Sequence, residues 1–203
     1  MTRSEECAVA ARRPAVFIAM EGVVWERHEL IERLHGATNA MAGAMDGLRL
    51  LAEAETPIYL VALERGMPAQ ADPRAALAEM GIPTAGLIVC PRRDNIVSRR
   101  KALARELRRT ARRDHISLEA SLLIADTWSL AEAALGMGCQ PVLVMTGRGR
   151  AQIAQPQTTT IRARTWYAAD LALAACSVLA HLTGETHPFT TPRQQARPQP
   201  TVA

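Results

Sequence analysis

Two acidic residues stand where buried strands are expected to end. Glu21 follows the apolar run "PAVFIAM" and precedes Gly22, and Asp126 follows the apolar run "ASLLIA". Many phosphate-handling enzymes place an aspartate pair at such a turn, whereas here the first position of such a pair holds Ala19. Each acid also has a structural alternative. In that alternative, Glu21 would cap a turn or pair with an arginine, and Asp126 would cap the helix that follows it.

A second candidate site is cationic. Residues 92–113 contain two acids, Asp94 and Glu106, and ten cations, which are Arg92, Arg93, Arg99, Arg100, Lys101, Arg105, Arg108, Arg109, Arg112 and Arg113. The full chain has a net charge of +4, so the rest of the protein has a net charge of −4. A concentrated positive field attracts an anionic ligand or an acidic protein surface. The alternative is an ordinary solvated helix face.

Short apolar segments alternate with helical patterns along the chain. Strands are predicted near 15–19, 57–62, 86–90, 121–125 and 141–145, with "TTTIRA" as a short sixth strand. Helices are predicted between them, and "TWYAADLALAACSVLAHLTG" is predicted to form the last helix. Apolar strands that alternate with helices favour an α/β fold with a mainly parallel sheet between two helix layers. The strand ends should therefore bring Ala19, Ala62, Arg100 and Asp126 to one edge of the sheet.

The composition predicts a globular protein in one main domain. The chain has 203 residues, of which 48% are hydrophobic and 22% charged. We expect an N-terminal extension over 1–13, the α/β domain over 14–183, and a disordered proline- and glutamine-rich tail over 184–203. No apolar run reaches the roughly 18 residues of a membrane span, and the N-terminal residues lack the order of a secretory signal, so the expected location is cytoplasmic. The four cysteines have no metal-binding spacing.

Five segments together resemble the haloacid dehalogenase (HAD) superfamily, in particular its heptose-bisphosphate and histidinol-phosphate phosphatases. They are "FIAMEGVV", "YLVALERG", "CPRRDNIVSRRK", "LLIADTWSLAEAALGMGC" and "PVLVMTGRG". The resemblance runs from about Pro14 to Arg150. It implies a three-layer Rossmann-type domain without a large cap domain. In order, spacing and turns, these segments follow the family's motifs.

The resemblance also implies which positions should carry the family's chemistry. Ala19 stands at the nucleophilic aspartate, and Glu21 at the general acid and base. Ala62 replaces the phosphate-binding hydroxyl group, and Arg100 the phosphate-binding lysine. The two acids that hold the metal correspond to Asp126 and Leu130.

These departures predict the loss of catalysis. A methyl group at position 19 cannot attack phosphorus or bind a metal. Only Asp126 remains as a weak, vestigial metal ligand, so no cofactor is expected, with Mg²⁺ as the alternative. The family's loop often binds zinc through Cys and His, but here Cys90 remains and Ser98 replaces a cysteine, which argues against zinc. Trp25 and Trp128 are expected to pack over the pocket that the lost groups leave empty, with stacking on a ligand as the alternative.

The sequence therefore favours a catalytically inactive pseudophosphatase that acts as a binding, structural or regulatory subunit. The alternative is a residual Mg²⁺-dependent phosphatase of small phosphorylated metabolites, such as sugar phosphates or histidinol phosphate. Anion binding is assigned to Gly22, Arg99, Arg100 and Lys101, and binding of an acidic protein partner to Arg105, Arg108, Arg109 and Arg112. A phosphorylated small molecule is the lesser possibility. A membrane is not expected as a partner. Nucleic acid is disfavoured because the basic segment lacks aromatic residues and the remainder is acidic.

Overall fold

A computed structural model describes residues 12–26, 40–63, 72–91 and 95–184. Its centre is a six-stranded sheet in which every neighbouring pair is parallel, with the order β3-β2-β1-β4-β5-β6. The strands are β1 (Val16–Ala19), β2 (Ile58–Leu63), β3 (Gly86–Cys90), β4 (Leu122–Ala125), β5 (Gln140–Val144) and β6 (Trp166–Ala168). The predicted α/β class with a parallel sheet is confirmed.

Seven helices connect and cover these strands. They are α1 (Ala44–Glu53), α2 (Pro73–Glu79), α3 (Ile96–Arg113), α4 (Trp128–Leu135), α5 (Gly149–Ala154), α6 (Thr159–Arg164) and α7 (Leu171–Thr183). Helix α1 packs against α7, and α3 packs against α4. Every residue of β1 and β4 is buried, which requires cover on both faces of the sheet. No helix in the described part of the chain is long and apolar enough to cross a bilayer.

The last part of the fold differs from the prediction. The segment "TTTIRA" was expected as a strand, but it lies in helix α6, which Thr158 caps by accepting a hydrogen bond from the Ile161 amide. The sixth strand is instead Trp166–Ala168, inside the segment expected to be helical. Helix α7 begins only after Asp170, whose side chain accepts a hydrogen bond from the Leu173 amide. Helix α5 was not predicted. Most of the N-terminal extension and all but one residue of the expected tail lie outside the described residues.

Gly47 permits the close contact between α1 and α7. A Cβ atom at this position would lie 2.5 Å from the carbonyl oxygen of Leu171, a backbone atom that cannot rotate away. Alanine is normally the better helix former by about 1 kcal/mol. We nevertheless expect Gly47→Ala to lower the free energy of unfolding by about 1–3 kcal/mol, because the helices must separate. Urea denaturation measures the change.

Gly136 provides the matched control for that substitution. It ends α4 with φ −66°, and an added Cβ would have no neighbour nearer than 3.5 Å. Gly136→Ala should leave stability unchanged or raise it by up to about 1 kcal/mol. An equal response of the two variants would contradict the proposed contact.

Asp114 fixes the end of α3 against the sheet. Tyr59 in β2 donates its hydroxyl to the Asp114 carboxylate at 2.8 Å, and the Arg113 guanidinium donates two hydrogen bonds to the same carboxylate at 2.7 Å each. These hydrogen bonds lower the pKa of Asp114 from 3.8 to about 2, and the hydrogen bonds from Arg113 have the largest effect. The burial of Tyr59 and its bond to Asp114 raise the pKa of that phenol to about 12.

A pH dependence of stability follows from the lowered pKa of Asp114. The ionised carboxylate stabilises the fold above about pH 4, and this contribution disappears as pH falls to about 2. The urea midpoint of the wild type should therefore drop more steeply over this range than that of Asp114→Asn. Identical slopes for the two proteins would show that Asp114 does not contribute.

Candidate functional site

A cavity of about 240 Å³ lies at the carboxyl ends of the central strands. The strand order reverses between β1 and β4, and the crevice at such a switch point is where open α/β sheets bind ligands. The cavity is lined by Ala19, Glu21, Val61, Ala62, Cys90, Pro91, Ile96, Arg99, Arg100, Leu103, Asp126, Thr127, Ser129, Leu130, Arg148 and Gln152. The predicted convergence of Ala19, Ala62, Arg100 and Asp126 is therefore observed.

A tight turn after β1 presents Glu21 to the cavity. The amides of Val24 and Trp25 both donate to the carbonyl of Met20 at 3.0 Å, and the Gly22 amide donates to the carbonyl of Trp25 at 2.7 Å. Gly22 adopts φ +79°, a left-handed conformation that favours glycine. The side chain of Ala19 is almost completely buried, so the strand ends in a methyl group at the cavity wall.

Asp126 is held by the loop that follows β5. Its side chain is buried, and Oδ2 accepts a hydrogen bond from the Arg148 amide at 3.0 Å. A Cβ atom would come within 2.1 Å of Oδ2 at Gly22 and within 2.7 Å at Gly147, so only glycines leave room for the carboxylate. Thr146 ties the same loop to the first turn by donating its hydroxyl to the Gly22 carbonyl at 2.8 Å. Thr127 occupies the N-cap position of α4, and its side chain makes no capping hydrogen bond.

The cationic residues around the cavity come from two elements. Arg99 and Arg100 belong to α3, and Arg148 belongs to the loop after β5. Arg100 forms an ion pair with Glu132 of α4, which links the two helices beside the cavity. Lys101 is not among the lining residues and lies instead in a groove on the exposed side of α3. Gly22 lies behind Asp126 and not at the cavity surface.

Glu21 and Asp126 are the two carboxylates that the lining residues offer to a magnesium ion. Mg²⁺ requires oxygen ligands in near-octahedral geometry. Ala19 and Leu130 supply none, and one Asp126 oxygen already accepts the Arg148 amide. Among the described residues, no group of three or more His, Cys, Asp or Glu side chains is arranged to hold a metal. Poor metal binding by this protein remains a prediction.

Two cavity residues were missed by sequence reasoning. Arg148 and Gln152 line the cavity together with Thr127 and Ser129, which lie in the segment expected to follow β4. Gln152 also orders the beginning of α4, because its side-chain oxygen accepts the Trp128 amide at 3.1 Å and its carbonyl accepts the indole N–H at 2.6 Å. The available signal was the "TGRG" turn, since β5 must end at the same edge as β1 and β4.

The expected role of the two tryptophans is wrong. Neither lines the cavity as the described residues define it. Trp128 packs against Tyr167 at a ring distance of 6.2 Å, with the Arg162 guanidinium 5.6 Å from its ring. Trp25 packs against the main hydrophobic core.

Cys90 is the one thiol that reaches the cavity wall in the described part of the chain. Burial raises the pKa of its thiol to about 12, and the negative charge of Glu106 adds to the shift. The group therefore stays protonated at neutral pH and is a poor nucleophile.

The sheet order, the switch-point cavity and the glycine-lined acid define the fold of the HAD superfamily, and this chain has that fold. D-glycero-β-D-manno-heptose-1,7-bisphosphate 7-phosphatases are its homologues. The enzyme of Pseudomonas putida is 37% identical over 91 residues. The matched region covers 43% of this chain and about half of that enzyme, 52% of its length. The enzyme of Bordetella bronchiseptica is 28% identical over 152 residues, covering 69% of this chain and 85% of the relative.

Solved structures agree on the fold. The B. bronchiseptica phosphatase, crystallised with magnesium and phosphate, superposes with a TM-score of 0.65 at 23% identity, over 82% of this chain and 98% of the other. The phosphatase of Burkholderia thailandensis gives a TM-score of 0.57 at 17% identity, over 83% of this chain and 99% of the other. No protein-family model matches the chain.

Proposed function

We propose that this chain is a catalytically inactive relative of the HAD phosphatases and acts by binding, as a structural or regulatory subunit. The observation that carries the proposal is Ala19, whose methyl group lines the cavity at the end of β1. Covalent phosphoryl transfer needs an oxygen or similar nucleophile at this point, and a methyl group has no lone pair to offer.

Two further residues support the proposal because they remove polar groups from the same cavity. Ala62 at the end of β2 and Leu130 in α4 present only aliphatic atoms to it. Neither can hold a phosphoryl oxygen or a cation. Three neighbouring positions that all lack functional groups weaken every step of the relatives' chemistry, whereas the described loop after β5 still holds Asp126 and the turn after β1.

The cavity keeps the means to bind an anion without transforming it. Arg99, Arg100 and Arg148 line it, and a guanidinium group binds phosphate or carboxylate through paired hydrogen bonds. A phosphorylated small molecule is therefore a candidate ligand, secondary to a protein partner.

The alternative is a residual phosphatase, and one observation favours it. Glu21 and Asp126 line the same cavity, so two carboxylates remain beside any bound phosphate. Glu21 would have to serve as general acid and base. This mechanism lacks a protein nucleophile, so water would have to attack phosphorus directly.

Phosphate release decides between the two functions. The purified chain is incubated with Mg²⁺ and either D-glycero-β-D-manno-heptose-1,7-bisphosphate or p-nitrophenyl phosphate, with the P. putida relative as positive control. We expect no release above that of the Glu21→Gln variant. Release by the wild type that Glu21→Gln abolishes would overturn the proposal in favour of the residual phosphatase.

A further inference from the structure

The exposed side of α3 forms a long cationic groove. Its walls and floor are Lys101, Ala104, Arg105, Arg108, Arg109 and Arg112, and its volume is about 540 Å³. The five cations follow one another at intervals of four, three, one and three residues, so they form a single stripe along the helix. Ala104 is the only uncharged lining residue, and its small side chain leaves room for a second backbone to approach.

The fold does not require these cations. Helix α3 is anchored through its opposite side, where Ala102, Leu103, Leu107, Thr110 and Ala111 are buried. The side chain of Asn95 caps its first turn by accepting the Ser98 amide at 2.8 Å, and Asp114 fixes its last turn to β2. All five cations of the groove are exposed. Arg108 also donates to the Gly136 carbonyl at the end of α4 at 3.4 Å, but the number and spacing of the five cations have no packing explanation in the described part of the domain.

The helix supplies too little negative charge to balance the groove. Glu106 is the only acid in α3, and it pairs with Arg105 at 3.1 Å and with Arg109 at 3.9 Å. The groove and this acid together carry a net charge of +4. Even while paired, the side chains of Arg105 and Arg109 are 63% and 83% exposed. Their guanidinium groups keep donors available for a partner.

We propose that the cationic groove binds an acidic α-helix of a partner protein. The cations recur once per turn of α3, about every 5.4 Å, and acids spaced by three or four residues on a second helix recur with the same period. Helices laid side by side therefore bring successive cations opposite successive acids, and arginine pairs with carboxylate in a planar, bidentate geometry. This proposal rests on the proposed function, because it names the class of partner that such a binding subunit takes.

A protein partner fits the charges better than a nucleic acid does. The described part of α3 has no aromatic side chain for a base to stack on. Outside residues 92–113 the chain has a net charge of −4, which repels a long polyanion that extends beyond the groove. A short acidic helix encounters only the groove.

Binding to a designed helical peptide tests the proposal. The probe is a fluorescent alanine-based peptide of about 20 residues with glutamates spaced by three and four, and its control has glutamine at those positions. Anisotropy titrations should show binding to the glutamate peptide alone at about 20 mM salt. The affinity should fall about tenfold or more at about 300 mM salt, because the Debye length shortens from about 20 Å to about 6 Å.

Two variants with the same change in net charge locate the binding surface. Arg108→Glu/Arg112→Glu reverses two groove cations, and Arg150→Glu/Arg164→Glu reverses two exposed arginines of α5 and α6. Arg112 and Arg164 both lie in the last turn of their helices, so these two reversals match in helix-end charge. We expect the first to weaken peptide binding about tenfold or more and the second to change it less than about threefold.

Circular dichroism verifies that both variants fold before binding is compared. Equal losses in the two would show that only net charge matters, and no loss in the first would place binding elsewhere; either result overturns the proposal. So would tighter binding of a single-stranded DNA of about 20 nucleotides than of the glutamate peptide, if the groove variant alone loses it. None of these outcomes involves phosphate release, so the proposed function and this proposal fail independently.

Discussion

Replacing Gly149 with alanine should destabilise the protein by about 3 kcal/mol or more. A Cβ atom at this position would lie 1.6 Å from the carbonyl oxygen of Val144 and 2.7 Å from its carbonyl carbon. Both atoms belong to the backbone of β5, so no side-chain rotation relieves the contact, and the start of α5 must move as a unit. The loss of stability caused by such overpacking against a buried backbone exceeds the usual loss caused by an added methyl group.

The displacement of the start of α5 should also alter the cavity. The loop that leads into Gly149 carries the Arg148 amide, which donates to Asp126, and Thr146, which donates to the Gly22 carbonyl. Urea denaturation measures the stability, and Arg150→Ala is the control because the neighbouring side chain is exposed. A Gly149→Ala protein with the midpoint of the wild type would show that this loop relaxes without cost.

The second large effect concerns metal binding by Ala19→Asp/Leu130→Asp. Both substitutions place carboxylates in the wall of the cavity that already contains Asp126. With Glu21, four acids then line one partly buried cavity and repel each other, so the metal-free variant should be less stable than the wild type. Mg²⁺ should reverse this loss, because it binds the folded variant and neutralises the carboxylates. At a concentration 100 times the dissociation constant, the gain is about 2.7 kcal/mol.

Thermal unfolding with and without Mg²⁺ tests this prediction. The wild type should show no shift, since its cavity lacks the necessary oxygen ligands. The control Ala163→Asp/Leu173→Asp adds the same charge at exposed positions outside the cavity and should show none either. A shift of the wild type equal to that of the cavity variant would show that Asp126 and Glu21 suffice to bind the metal.

The sequence predicted strands β1 to β5 well because most of their residues are buried. Short runs of apolar residues between helical patterns located β1 to β5 to within about one residue. The prediction failed after residue 158, where the local signals conflict. The β-branched residues of "TTTIRA" favour a strand, but the cap at Thr158 starts a helix. The aromatic residues before Asp170 form β6, and the N-cap at Asp170 marks where the final helix begins.

The sequence predicted those residues of the site that lie at the ends of strands. Parallel strands end at one edge, so Ala19, Ala62 and Asp126 had to converge. The side chains of Arg148 and Gln152 were not predictable in this way, because they depend on how the loop after β5 folds back over Asp126. Arg105, Arg108, Arg109 and Arg112 are exposed, as both readings of the cationic segment require, whereas their roles in binding stay predictions. Arg92 and Arg93 lie outside the described residues.

The contacts of Gly22, Gly147 and Gly149 have a consequence for how this cavity can be altered. Gly22 and Gly147 leave room for the Asp126 carboxylate, and Gly149 leaves room for the backbone of β5. None of the three is among the described lining residues, so the turn after β1 and the loop after β5 are held by contacts outside the lining. Positions 19, 62 and 130 can therefore exchange methyl groups, hydroxyls or acids while the surrounding architecture keeps its dimensions. The backbone around the cavity therefore acts as a fixed scaffold, and new binding preferences can be designed at these three positions without rebuilding the loops.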